Sequence, residues 1–169
     1  MRCSGLDTPR AVTNHHAMAQ METRGVERLL AAARERIERV EPAAAWEATT
    51  AGEALIVDLR SSDERRTHGI VPGSLHVPRS VLEWRADPTG RWRNPHLDER
   101  ERLILLCAEG YSSSLAAASL VDLGHPRGAD LAGGFRGWLA AGLPVVAAPE
   151  EDGSLPGMGA PAPRSDIID

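Results

Sequence analysis

A chain of 169 residues is long enough for one domain with a single substantial core and short flanks. Its hydrophobic content of 42% and charged content of 25% are ordinary for a globular protein, and a net charge of −5 gives no electrostatic ground for a nucleic-acid or anionic-membrane partner. Two cysteines, Cys3 and Cys107, are too few for a disulfide framework or a multi-cysteine metal site; they read as free thiols of a reducing compartment, and the cytoplasm is expected. Residues 1–20 lack periodicity and the apolar centre of a secretory leader, so a mobile tail is expected there. Residues 21–41 are predicted to hold an N-terminal helix. Val26, Leu29, Leu30, Ala33, Ile37 and Val40 recur at three- and four-residue spacing, and Pro42 stops it. AAAWEA then reads as a short helical turn. ALIVDLR is an apolar run ending in charge, which suits a strand buried on both faces.

SSDERRTHG follows with Ser61 as N-cap, acids in the first turn and Gly69 at the stop. A brief strand is predicted at 74–77, and RSVLEWR is a helical turn or two. ADPTGRWRNPHL is a turn-rich excursion. LILLC is a second buried strand, SSSLAAASLVDLG a strong helix, ADL a short strand, and GGFRGWLAAGLPV a last helix. Residues 147–169 are rich in Pro, Gly and acid, and disorder is expected there. Alternating strands and helices over 42–146 predict one α/β domain, with a small parallel β-sheet flanked by helices on both faces. No apolar run approaches the roughly 18 to 20 residues that span a bilayer.

In such sheets ligands gather at the carboxyl ends of the strands, where LILL delivers Cys107. Backbone N–H groups of the tight loop that follows can turn inward around the sulfur, and the next helix adds about half a positive charge at its start. Both favour thiolate over thiol and suit a nucleophile that handles an anionic group. A small buried core cysteine fits the same position. His68, His76 and His125 lack the spacing of a zinc site. Trp138 and Phe135 follow helical spacing and suit the core, while Trp84 and Trp92 flank a basic loop that could overhang the site, with core packing or partial exposure the expectation for each. Tyr111 is placed either at the pocket entrance or as an exposed loop aromatic.

DLR at 58–60, HGIVPGSLHVP, CAEGYS and DLAGGFRGWLAAGLPV occur in an order and spacing that resemble the rhodanese family over residues 53–146. The resemblance implies a rhodanese-like α/β fold and a sulfurtransferase with Cys107 as catalytic nucleophile. It also implies a sulfur-cradling loop made of Ala108, Glu109, Gly110, Tyr111, Ser112 and Ser113. The implied chemistry passes sulfane sulfur from a small-molecule donor such as thiosulfate or a persulfide to a thiol or cyanide acceptor, or to a protein sulfur carrier. No metal or organic cofactor is needed for it, and no nucleic acid or membrane enters. A rhodanese-like module that binds a partner or senses oxidants without turnover is the alternative. Within the resemblance Asp58 and Arg60 look mainly structural. Cys3 could act as a resolving thiol toward a Cys107 persulfide.

Two positions depart from the pattern. Many loops of the family carry arginine five residues after the cysteine, and related phosphatases need it to grip a tetrahedral oxyanion; here that place is Ser112. The loop also holds Glu109 and no basic residue, which opposes thiolate formation and repels an anionic donor. Arg79, Arg85, Arg91 or Arg93 are the arginines expected to compensate.

Overall fold

The computed structural model describes residues 25–98 and 102–149. Helix α1 (Val26–Arg34) leads into strand β1 (Glu38–Val40), and Pro42 opens helix α2 (Pro42–Thr50). Strand β2 (Leu55–Asp58) is followed by α3 (Ser62–His68) and the short strand β3 (Leu75–His76). A 3-10 turn (Arg79–Val81), α4 (Leu82–Ala86) and α5 (Pro95–Asp98) come before β4 (Leu103–Leu106). Helix α6 (Ser112–Asp122), β5 (Gly128–Leu131) and α7 (Gly134–Ala140) complete the order.

All five strands are parallel, in the order β1-β5-β4-β2-β3. Alternate side chains of β4 explain the two-sided core, since successive residues of a strand point to opposite faces. Ile104 and Leu106 pack with Ala45 and Ala48 of α2 and Phe135 and Trp138 of α7. Leu103 and Leu105 pack on the other face with Leu82 of α4, Leu97 of α5 and Ala116, Ala117 and Leu120 of α6. The expected α/β layering therefore holds. Asp58 pairs in register with Leu106, so the carboxyl ends of β2 and β4 lie level, and Cys107 emerges beside them.

The N-terminal helix is shorter than its periodicity predicts. It ends at Arg34, and 38–40 form an edge strand paired with Ala129, Asp130 and Leu131. Ile37 and Val40 would share a helix face; Ile37, just ahead of β1, and Val40 within it instead pack into cores on opposite sides of the sheet. Strand pairing with a segment about 90 residues away overrides the local pattern. Pro42 accordingly starts a helix at its first position, where its missing N–H costs nothing, rather than stopping one. The predicted cap of α3 is a full capping box, with the Ser61 hydroxyl accepting from the Glu64 N–H and the Glu64 carboxylate accepting from the Ser61 N–H. At the far end Val146 bridges Ile70, with backbone bonds of 2.8 and 3.0 Å. The tail expected over 1–20, and residues 150–169 of the one expected over 147–169, lie outside the described residues.

Candidate active site

Cys107 follows β4 directly, and α6 starts five residues later, so its loop closes within four residues. Cys107 is buried, with an exposure of 7%. The Gly110 N–H donates to Sγ at 3.1 Å, and the Ser113 hydroxyl lies 3.2 Å from it. Burial pushes the thiol pKa up, but it is outweighed by the hydroxyls of Ser112 and Ser113 and by the backbone N–H groups of Ser113 and Glu109. The net result is a thiol more acidic than usual, because these donors favour the anion.

The loop can turn its N–H groups inward because its carbonyls find partners elsewhere. The Phe135 and Arg136 N–H groups at the start of α7 donate to the carbonyls of Cys107 (2.8 Å) and Ala108 (3.1 Å). The Gly110 carbonyl accepts from Arg34 Nη2 of α1 at 2.9 Å. Such close approach requires glycine: a β-carbon on Gly110 would sit 2.9 Å from the Gly133 nitrogen, and Gly110 has a φ of +75°.

Of the residues expected to form the site, Gly110, Ser112 and Ser113 gather around the sulfur, together with the Glu109 N–H. The Glu109 carboxylate points away and pairs with Arg136 at 2.7 Å. Ala108 lines a neighbouring cleft of about 240 Å³, with Arg60, Glu64, His68, Phe135 and Arg136. Tyr111 is exposed, with the Arg34 guanidinium 5.7 Å from its ring centre.

Three of the four arginines expected to compensate have partners away from the loop. Arg79 pairs with Glu83 at 2.8 Å, Arg85 donates to the Trp92 carbonyl, and Arg91 lies over the Trp92 ring. Arg34 and Arg136 reach the loop instead, and Arg60 reaches the cleft. Arg34 and Arg39 lie in the segment predicted as one helix, and nothing in its spacing marks them for the loop. Asp130, Ser114 and Gly134 were also missed. For Gly134 the Gly-Gly pair ahead of Phe135 was the available signal.

Asp58 and Arg60 form a buried ion pair with two bonds of 2.9 and 2.7 Å, and Arg65 Nε stands 3.4 Å from Asp58. Arg60 also donates to the Gly69 carbonyl and stacks 3.6 Å over the Phe135 ring, which ties β2, α3 and α7 together. His76 and His125 each bond a backbone oxygen. Trp138 is fully buried and Phe135 nearly so. Trp84 and Trp92 are partly exposed and line a separate apolar hollow with Val81 and Arg85, rather than the cleft beside Ala108. Cys3 lies outside the described residues. No described helix is long and apolar enough to cross a membrane.

The family described as rhodanese-like domain matches residues 41–141. The chain is 30% identical to the thiosulfate sulfurtransferase GlpE of Glaesserella parasuis over 106 residues, which is 63% of this chain and 90% of the relative. It is 30% identical over 95 residues to a sulfurtransferase of Allochromatium vinosum, covering 56% of this chain and 80% of that one. A solved structure from Rhodopseudomonas palustris, described as a protein of unknown function and possible tyrosine phosphatase, is 31% identical. It superposes with a TM-score of 0.69 over 83% of this chain and all of that one.

Proposed function

The chain belongs to the rhodanese-like domain family, and on that premise we propose that it is a sulfurtransferase that carries sulfane sulfur on Cys107. The observation that carries this reading is the ring of donors around Sγ, with the Gly110 N–H at 3.1 Å and the Ser113 hydroxyl at 3.2 Å. Such a ring stabilises a thiolate at rest and, after reaction, the anionic terminal sulfur of a persulfide.

The Cys107 thiolate attacks the outer sulfur of thiosulfate. A new S–S bond forms as the old one breaks, and sulfite leaves with the bonding pair. Cyanide or a thiolate then attacks the terminal sulfur of the persulfide. That bond breaks with its pair returning to Cys107, and thiocyanate or a new persulfide departs. Both steps are two-electron displacements at sulfur, so nothing external is oxidised or reduced. Neither step calls for a metal or an organic cofactor. Ala108, Glu109, Gly110, Tyr111, Ser112 and Ser113 form the loop that holds the transferred sulfur. Arg60 and Arg136 in the adjoining cleft give an anionic donor or acceptor a place beside the loop.

Phosphatase chemistry is poorly supported in this chain. The fifth position after Cys107 is Ser112, and among the described residues the guanidiniums bonded to the loop are taken up by the Gly110 carbonyl (Arg34 and Arg39) and the Glu109 carboxylate (Arg136). That arrangement leaves no bidentate clamp of the kind a tetrahedral phosphoryl group needs.

Incubation with thiosulfate or glutathione persulfide, followed by mass spectrometry of the Cys107 peptide, tests the proposal. The expected result is one added sulfur, absent in C107S, that leaves as thiocyanate when cyanide is added. If no donor loads the wild-type protein, the sulfurtransferase reading gives way to a binding module.

A further inference from the structure

The residues matching the family begin at 41, yet two guanidiniums from the chain before that point reach the back of the Cys107 loop. Arg34, the last residue of α1, donates from Nη2 to the Gly110 carbonyl at 2.9 Å and from Nε to the Ser114 hydroxyl at 3.2 Å. The Ser114 hydroxyl in turn donates to the fully buried Asp130 carboxylate at 2.6 Å. Arg39 of β1 closes the chain from the other side, with Nε 3.2 Å from Asp130. Gly110 is thus held from two directions, its N–H on the sulfur and its carbonyl on Arg34, with the Ser114 hydroxyl 3.2 Å from the same oxygen.

Glycine is the residue with the least intrinsic restraint on its backbone, so an outside anchor on its carbonyl matters more here than at any other residue type. A bond from a charged donor is also about twice as strong as one between neutral groups. We propose that Arg34 is a positioning residue, which fixes the Gly110 backbone so that its N–H stays aimed at the Cys107 sulfur. In this chain an N-terminal helix therefore brings positive charge to a loop that has Ser112 where an arginine is common. The inference rests on the reading of Cys107 as a working thiolate.

Other charged groups around the loop are Glu109 with its partner Arg136 from α7, Asp130 of β5 with Arg39 of β1, and Arg60, Glu64 and His68 across the cleft. None of these bonds the Gly110 carbonyl as closely as Arg34 does, since Arg39 Nη2 stands at 3.5 Å. Arg34 is the contact to remove.

Alkylation of Cys107 by iodoacetamide across pH, read on the peptide that carries it in the full chain, measures thiolate formation without any sulfur donor. For R34Q the midpoint is expected to rise by roughly half a unit to one unit, and for R34K by less, because the amine keeps the charge and one bond. R28Q, on an exposed position of the same helix, is expected to superpose on the wild type. A wild-type midpoint in R34Q overturns the proposal, and so does an equal shift in R28Q, which would mark a general charge effect. If R34Q fails to unfold cooperatively, R34K decides: a raised midpoint supports the role and an unshifted one removes it. Failure of the sulfurtransferase reading would show separately, as a wild-type protein that takes up no sulfur.

Discussion

Gly134 lies so close under the Cys107 loop that a β-carbon on it would fall 2.5 Å from the Cys107 carbonyl oxygen. The same carbon would stand 2.6 Å from the Gly110 nitrogen and 2.8 Å from the Glu109 nitrogen, all of them backbone atoms that cannot step aside singly. With a φ of +58°, position 134 also favours glycine on conformational grounds. G134A is therefore expected to displace the loop, to lower stability by about 1–3 kcal/mol and to cut sulfur loading at least about tenfold. Urea unfolding and mass spectrometry of Cys107 check the two effects. Unchanged loading would mean that the loop geometry does not govern reactivity.

Glu109 presents its N–H inward and its carboxylate to Arg136, so the acid in the loop is partly neutralised by a cation that itself lines the cleft. E109Q frees that cation. The KM for thiosulfate is expected to fall about two- to fivefold with kcat little changed, and R136Q should move it the other way. Both side chains are well exposed, so the difference should shrink as salt is added. An E109Q enzyme with a wild-type KM at low salt would contradict this account.

The acidified Cys107 thiol links folding to pH. A group whose folded pKa is lowered adds stability in its ionised form. That contribution is fully present above the unfolded thiol value of about 8.5, and is lost as pH falls through the lower folded value. Wild-type stability should therefore rise relative to C107S as pH climbs toward the unfolded thiol value of about 8.5, with S113A showing a weaker rise. Denaturant unfolding at several pH values provides the curves. Parallel curves for wild type and C107S would show that the fold does not favour the thiolate.

Asp58 is fully buried and balances Arg60, with Arg65 close by. Removing one partner of such a pair leaves an uncompensated buried charge, so D58N is expected to cost about 3–5 kcal/mol. By contrast R66Q, which breaks the exposed pair with Asp63, should cost no more than about 1 kcal/mol. Thermal or urea unfolding of the two variants makes the comparison. Equal effects would place Asp58 outside the structural frame.

Much of the site was legible because its chemistry is local in the chain. LILL is long enough to be a buried strand and ends on Cys107, Gly110 permits the tight turn, and three serines start a helix. Strand, turn and helix start are each set by residues within a few positions of one another. The capping box of Ser61 and Glu64 was half legible for the same reason: Ser61 was read as the cap, and its partner lies three residues on.

Tertiary structure alone decided where α1 ends and what surrounds the sulfur loop from behind. Ile37 and Val40 satisfy a helical spacing, yet pairing of β1 with β5 gains sheet hydrogen bonds and two-sided burial that a helix could not offer. Arg34 lies 76 residues from Gly110, and on a lone helix it belongs to the solvated face. Short-range periodicity carries information about which face a residue takes, but none about which distant backbone group it will meet. The sequence by itself thus placed Cys107 at the end of a buried strand, ahead of a tight loop and a helix start. Folding determined the charges that hold the loop, because charge–backbone contacts depend on packing that no local pattern encodes.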